Sequence, residues 1–299
     1  MEIKNNDLVK AIKNHYGDDF EKFIEWAKFP LRPVIRINTI KASVDDVYNR
    51  LTNKGFILSK IDYINFAFRV EYYPYEIGKT IEHYLGYIYV QELSSMIPAI
   101  LLEPKENEII LDLCAAPGSK TTLISQIMNN KGVIIANDVD IDRTSILAFN
   151  VDRMGCLNVI ITQYKGEIFH NYYENYFDKV LVDAPCSAIG TLHKNKEVIK
   201  WFNYKKVKEF SKLQKNLIES AFRCLKEGGY LIYSTCTITY EENEEVIDYL
   251  VRKYNNAKVE SILLNFNDYY RDYLNYGIYL KFGEFEPFYI CKVRKIWGF

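Results

Sequence analysis

From residue 108 onward short apolar runs alternate with helical segments, a rhythm that few folds accommodate. The runs 108–113, 133–138, 159–162, 179–183 and 230–234 are too short for helices, and stretches of helical periodicity at 120–128, 142–154, 207–225 and 242–254 separate them. Strands alternating with helices in this way predict βαβ units on a parallel sheet, an α/β fold. Residues 258–263 and 288–293 are candidates for two further strands that close the sheet.

The first hundred residues follow another pattern. Leu8, Ile12, Phe20, Phe23, Ile24 and Ala27 recur at roughly helical spacing over 7–28, and Pro30 and Pro33 stop the helix. An extended run over 34–40, a helix that Ser43 is placed to cap and an aromatic alternating stretch over 61–70 complete a small α+β unit. The predicted organisation is an N-terminal domain over 1–100 and a larger domain over 101–299. Residues 86–102 contain no Pro/Gly/Ser-rich linker, so the boundary is blurred.

Composition narrows the function. A chain of 299 residues with 26% charged and 48% hydrophobic residues has the balance of a soluble globular protein. Its apolar runs are too short to span a bilayer and its charged start lacks the core of a signal peptide, so a cytoplasmic protein with no membrane partner is expected. The six cysteines, at 114, 156, 186, 224, 236 and 291, show neither CxxC nor His-rich spacing. That argues against a metal site or a disulfide framework and for free thiols in a reducing compartment. With a net charge of −1 the chain has no global basic excess, and any nucleic-acid site must be a local patch.

In open α/β sheets ligands bind beyond the carboxyl ends of the strands. The first such loop reads Asp112, Leu113, Cys114, Ala115, Ala116, Pro117, Gly118, Ser119, Lys120. Its small residues let backbone approach a ligand, and the helix it opens offers unpaired N–H groups. The second strand ends at Asp138, placed to accept hydrogen bonds from a ribose; the competing reading is that Asp138, Asp140 and Asp142 only start and cap the next helix. The fourth strand runs into Asp183, Ala184, Pro185, Cys186, Ser187, and the fifth into Ser234, Thr235, Cys236, Thr237, so adjacent strands deliver a cysteine to one edge. Two such cysteines beside a nucleoside site suggest thiolate chemistry, whereas Cys156, Cys224 and Cys291 read as small core residues.

In these loops the sequence resembles the Nop2/Sun family of RNA 5-methylcytosine methyltransferases. The matches are the 112–120 loop, the Asp-Ala-Pro-Cys-Ser loop at 183–187 and the Thr-Cys pair at 235–236, in that order. Similarity extends to Arg36-Ile37-Asn38-Thr39, to 91–95, to the segment from Asp138 to Arg143, and to Gly190-Thr191 with Asn195 and Trp201. The chain departs from the family at Lys165, where an aspartate near the adenine is usual, at Ala188, and in its final strand.

The resemblance implies a Rossmann-like class I S-adenosylmethionine-dependent methyltransferase fold with a small N-terminal α+β domain. It implies S-adenosylmethionine held by Cys114, Ala115, Ala116, Pro117, Gly118, Ser119, Lys120, Asp138, Arg143 and Asp183. It assigns the attack on carbon 6 of cytosine to Cys236 and assistance in product release to Cys186. Asp183 then engages the polar edge of the base. Lys120 either orients the base and tunes a thiol or is a solvated first-turn lysine. The implied partner is RNA, most simply transfer RNA bound by a monomer, with Arg32, Arg36, Lys194, Lys205 and Lys206 on phosphates; His193, Lys41 and Lys196 are further candidates. Ribosomal RNA as substrate and a catalytically silent RNA-binding scaffold are the alternatives.

Overall fold

The computed structural model describes residues 3–298. Their contacts group into two compact units: Arg32–Tyr164, and the chain up to residue 31 together with residues from Lys165 on.

Within the Arg32–Tyr164 unit a four-stranded sheet runs in the order Ile57–Lys60, Ala67–Tyr72, Val34–Ile37, Ile88–Val90. Ser43 caps the helix Val44–Asn53 as expected, accepting from Asp46 N at 3.1 Å. The aromatic stretch at 61–70 is only partly a strand. Bonds from Ile64 N to Ile61 O and from Ala67 N to Ile64 O close turns first, so the strand begins at Ala67. The same unit holds three parallel neighbours, Ile109–Asp112, Val133–Asn137 and Val159–Thr162, with helices Ser119–Ile127 and Ile141–Met154 between them in the chain. Helix Leu93–Leu101 packs on Ser119–Ile127.

The second unit is built on the strand order Tyr269–Arg271, Gly277–Leu280, Phe288–Lys295, Leu225–Thr235, Phe177–Asp183. The last two are parallel, while Phe288–Lys295 runs antiparallel to Leu225–Thr235 and carries Ala257–Glu260 on its margin. The strands expected at 258–263 and 288–293 are therefore present, antiparallel rather than continuing the parallel run. The long helix Tyr204–Cys224 covers strands Phe177–Asp183 and Leu225–Thr235. The helix expected over 7–28 forms as two, Asn6–Tyr16 and Phe20–Trp26, separated by the 3-10 turn Gly17–Asp19. Their apolar faces, Leu8, Ile12, Phe23 and Ile24, share a core with Ile189, Leu192, Val198, Val207 and Ile238. Among the described residues no helix is long and apolar enough to cross a membrane.

Arg36, expected on phosphates, is instead a structural residue. It is fully buried, with Nε donating to Gln91 Oε1 (3.0 Å), Nη1 to Gln126 Oε1 (2.5 Å) and Nη2 to Thr122 Oγ1 (2.8 Å). Its guanidinium also lies over the Tyr89 ring, 5.3 Å from the centroid. Burial lowers its pKa to about 10, so it remains charged at neutral pH. A buried charge bonded to neutral acceptors leaves several unsatisfied groups when truncated. Arg36→Ala should therefore cost about 3 kcal/mol of stability by denaturant titration; an unchanged midpoint would contradict this.

Candidate active site

In the Arg32–Tyr164 unit the loop after the first parallel strand is stitched to the end of the second. Ala115 N donates to Asn137 O (2.8 Å), and Ala116 N donates to Asp138 Oδ2 (3.2 Å). Arg143 returns to the same loop, its Nη2 2.6 Å from Ala116 O and 3.6 Å from Asp138 Oδ2. The capping role falls to Asp140, which accepts from Arg143 N (2.9 Å) and starts helix Ile141–Met154. Asp138 is 3% exposed and also accepts from Asp140 N (3.2 Å). Backbone N–H groups thus fill two of its roughly four lone-pair sites, one of them from the loop.

Gly118 takes φ +101 at the N-cap of helix Ser119–Ile127, and a Cβ there would lie 2.9 Å from Leu147 Cδ1. Only glycine suits this tight entry. Cys114 and Ser119 are half-buried, Ala115 and Ala116 buried, and Pro117 exposed. Lys120 is no solvated lysine: it is 7% exposed and its Nζ donates to Ser95 Oγ at 3.0 Å.

In the other unit the parallel register sets Asp183 opposite Ser234. Ser234 Oγ donates to Asp183 Oδ1 at 2.8 Å, fixing the carboxylate at the strand end. The chains then leave the sheet side by side, and Cys186 Sγ comes to 3.2 Å from Cys236 Sγ. The segment after Cys186 folds back over the second loop, with Gly190 N donating to Cys236 O (2.9 Å). A Cβ on Gly190 would sit 2.1 Å from Pro287 O, so this approach requires glycine. Both thiols are half-buried, whereas Cys156, Cys224 and Cys291 are buried. The contact with Cys236, then burial, then the neighbouring Cys236 and Glu242 charges push the Cys186 thiol well above the usual thiol range. Cys186 is thus a protonated partner at neutral pH.

The cationic candidates divide. Arg32 pairs with Glu71, Lys205 is exposed, and Lys206 lies over the Trp201 ring at 4.9 Å. Lys194 pairs with the buried carboxylate of Glu286. His193 is buried, accepting from Leu31 N (3.2 Å) and donating to Glu286 Oε1 (2.7 Å). Lys196 donates to the carbonyls of Ala27 and Leu192, and Lys41 to those of Leu85 and Arg153. His193 is therefore committed to internal bonds, while Lys196 and the exposed Lys41 each hold two backbone carbonyls. Sequence reasoning missed Gln214, Thr239 and Glu242, which with Ser187 of the matched loop form a buried polar cluster beside the thiols.

Residues 99–294 match the family described as 16S rRNA methyltransferase RsmB/F, and residues 5–93 match the N-terminal domain of 16S rRNA methyltransferase RsmF. The chain is 43% identical to a tRNA (cytosine(49)-C(5))-methyltransferase of Pyrococcus abyssi, over 96% of each protein. It is 37% identical to ribosomal RNA small subunit methyltransferase F of Vibrio parahaemolyticus, covering 93% of this chain and 60% of that longer protein. A crystal structure of a methyltransferase homolog protein from Pyrococcus horikoshii superimposes with a TM-score of 0.84 at 34% identity, covering 96% of this chain and 94% of the other. The expected class I methyltransferase fold is the one this chain adopts.

A thiol with a raised pKa stays protonated, and hence slow to alkylate, through neutral pH. Cys186 should resist iodoacetamide under mildly alkaline conditions, and Cys236→Ala, which removes the leading cause of the shift, should move the onset of its modification to lower pH. Peptide mass spectrometry reads both; an onset that stays in place would show that the sulfur contact does not govern Cys186.

Proposed function

Because the chain belongs to the RsmB/F, or Nop2/Sun, family of RNA cytosine-C5 methyltransferases, we propose that it methylates carbon 5 of cytosine in transfer RNA through a covalent bond between Cys236 and carbon 6. The observation that carries the reading is the pair of half-buried thiols 3.2 Å apart at the ends of adjacent parallel strands, beside a carboxylate held by Ser234.

Carbon 5 of cytosine is a poor nucleophile. Addition of the Cys236 thiolate to carbon 6 makes it enamine-like, and splitting one hard step into two easier ones is the general logic of covalent catalysis. S-adenosylmethionine supplies the methyl group from its sulfonium when bound. The residues proposed to hold it are Cys114, Ala115, Ala116, Pro117, Gly118, Ser119 and Lys120 with Asp138 and Arg143. The donor set fits: small residues line the loop, a nine-residue helix opens at Ser119, and a strand-end carboxylate retains acceptor capacity.

Release requires removal of the carbon 5 proton and expulsion of Cys236 as its bond to carbon 6 breaks. Cys186 is the proposed base. Once the Cys236 sulfur is bonded to carbon, the contact that most raises the Cys186 pKa is gone, which eases loss of the thiol proton to solvent; the thiolate then takes the carbon 5 proton. Asp183 accepts from the exocyclic amine of cytosine, a donor that uracil lacks. Lys120, fixed by Ser95, is a proposed orienter of the base.

The target base must leave its stack to reach these groups. We take 1–100 as the RNA-binding domain and 101–299 as the catalytic domain, a division near which the two family matches meet. Arg32, Lys194, Lys205 and Lys206 are the proposed phosphate contacts. Transfer RNA is favoured because the relative named for it is 43% identical to this chain, against 37% for the ribosomal RNA enzyme.

Three outcomes follow. Cys236→Ala should bind RNA without forming an adduct and Cys186→Ala should accumulate one, read on a denaturing gel; the reverse pattern would exchange the roles. Asp138→Ala should weaken S-adenosylmethionine binding at least about tenfold by calorimetry, the scale on which losing a charge-assisted bond acts; unchanged affinity would remove the ribose role. Methyl transfer to unmodified transfer RNA transcripts should exceed transfer to small-subunit ribosomal RNA, and the opposite preference would establish the ribosomal reading.

A further inference from the structure

Cys186 and Cys236 sit on separate loops, so their contact requires something that ties one loop to the other. Beneath them lies Glu242, a carboxylate with no solvent exposure and, among the described residues, no basic side chain paired to it. Four donors converge on it instead. Oε1 accepts from Ser187 N (2.8 Å) and Gln214 Nε2 (3.1 Å), while Oε2 accepts from Ser187 Oγ and from Thr239 Oγ1 (2.7 Å).

These donors come from three places. Ser187 follows Cys186 directly, Thr239 lies just past Cys236, and Gln214 belongs to helix Tyr204–Cys224 and also donates to Pro185 O (2.8 Å). Ser187 Oγ lies 2.7 Å from Thr237 Oγ1, adding a second cross-loop bond. With the Ser187 proton given to Glu242, Thr237 is the donor of that bond. Burial raises the Glu242 pKa and the converging donors oppose the rise, which is the balance expected of a structural carboxylate.

We propose that Glu242 is the positioning residue of the thiol pair, holding the Cys186 loop against the Cys236 loop and thereby setting the sulfur–sulfur contact. The inference rests on the reading of the two thiols as the reacting groups. Glu242 touches no reacting atom. Its effect is geometric, and small misplacements of reacting groups carry large rate penalties.

Glu242→Gln preserves size but turns an amide N–H2 toward donors that already point inward. In this variant single-turnover methyl transfer should fall about 10- to 100-fold, with KM for RNA changed by less than about twofold, within the measurement's usual spread. A readout independent of RNA accompanies it. Diamide, a two-electron thiol oxidant, should close a Cys186–Cys236 disulfide rapidly in the wild-type protein and at least about tenfold more slowly in Glu242→Gln, mapped by peptide mass spectrometry. Ser187→Ala, which keeps the backbone N–H bond and so tests the same clamp with less disruption, should show the same pattern at smaller amplitude. Wild-type disulfide rates in folded Glu242→Gln or, should that variant not fold, in Ser187→Ala would overturn the proposal, as would a loss confined to KM. If Cys236→Ala retained full methylation the thiol reading itself would fall, while the disulfide rates would still report whether Glu242 holds the loops.

Discussion

The parallel pairing of Phe177–Asp183 with Leu225–Thr235 is the constraint on which the site depends. Its register, Asp183 against Ser234, fixes where both chains leave the sheet. The two following turns then have little choice but to run side by side, and each presents a cysteine within three residues of its exit. Slipping a parallel pair by one residue would turn every side chain of the slipped strand to the other face. The register is guarded by burial: Val180, Leu181, Val182, Leu231, Ile232 and Tyr233 are all fully buried. The core thus helps to fix where the two loops begin.

A second theme is the use of polar bonds to shape loops that carry no apolar core of their own. Asp138 and Arg143 hold the backbone at Ala116, Asn137 donates to Leu113 O and Tyr164 O, and Glu242 gathers the loops beneath the thiols. Buried polar groups stabilise only when satisfied, and such a network specifies one loop geometry over near alternatives. The dense bonding of these loops matches the demand that reacting groups be held within fractions of an ångström.

Much of this was legible in the sequence because buried strands advertise themselves as continuous Val/Ile/Leu runs. The 159–162 strand has the bounds expected and its parallel neighbours differ by a few residues at their ends. The short strands Tyr269–Arg271 and Gly277–Leu280 escaped notice, since tyrosines, aspartates and glycines there resemble a loop until Phe288–Lys295 is present to pair with. Arg36 and His193 were misplaced for a different reason. Whether a basic side chain faces water is a tertiary property, and nothing local distinguishes an arginine that will bond to Gln91, Gln126 and Thr122 from one on the surface. Glu242 was hidden among Glu241, Asn243 and Glu244, a cluster that reads as the acidic start of the helix Glu244–Lys253.

The most direct test of the account is to identify the atom that attacks the base. RNA carrying 5-fluorocytosine at the target position retains fluorine where a proton must leave, so the enzyme should stall after methyl transfer with its nucleophile still bonded to carbon 6. Digestion and mass spectrometry of the stalled complex should find the nucleotide, with its added methyl group, on the peptide bearing Cys236. A cross-link to Cys186, or complete methylation with no cross-linked peptide under conditions that stall the reaction, would contradict the account.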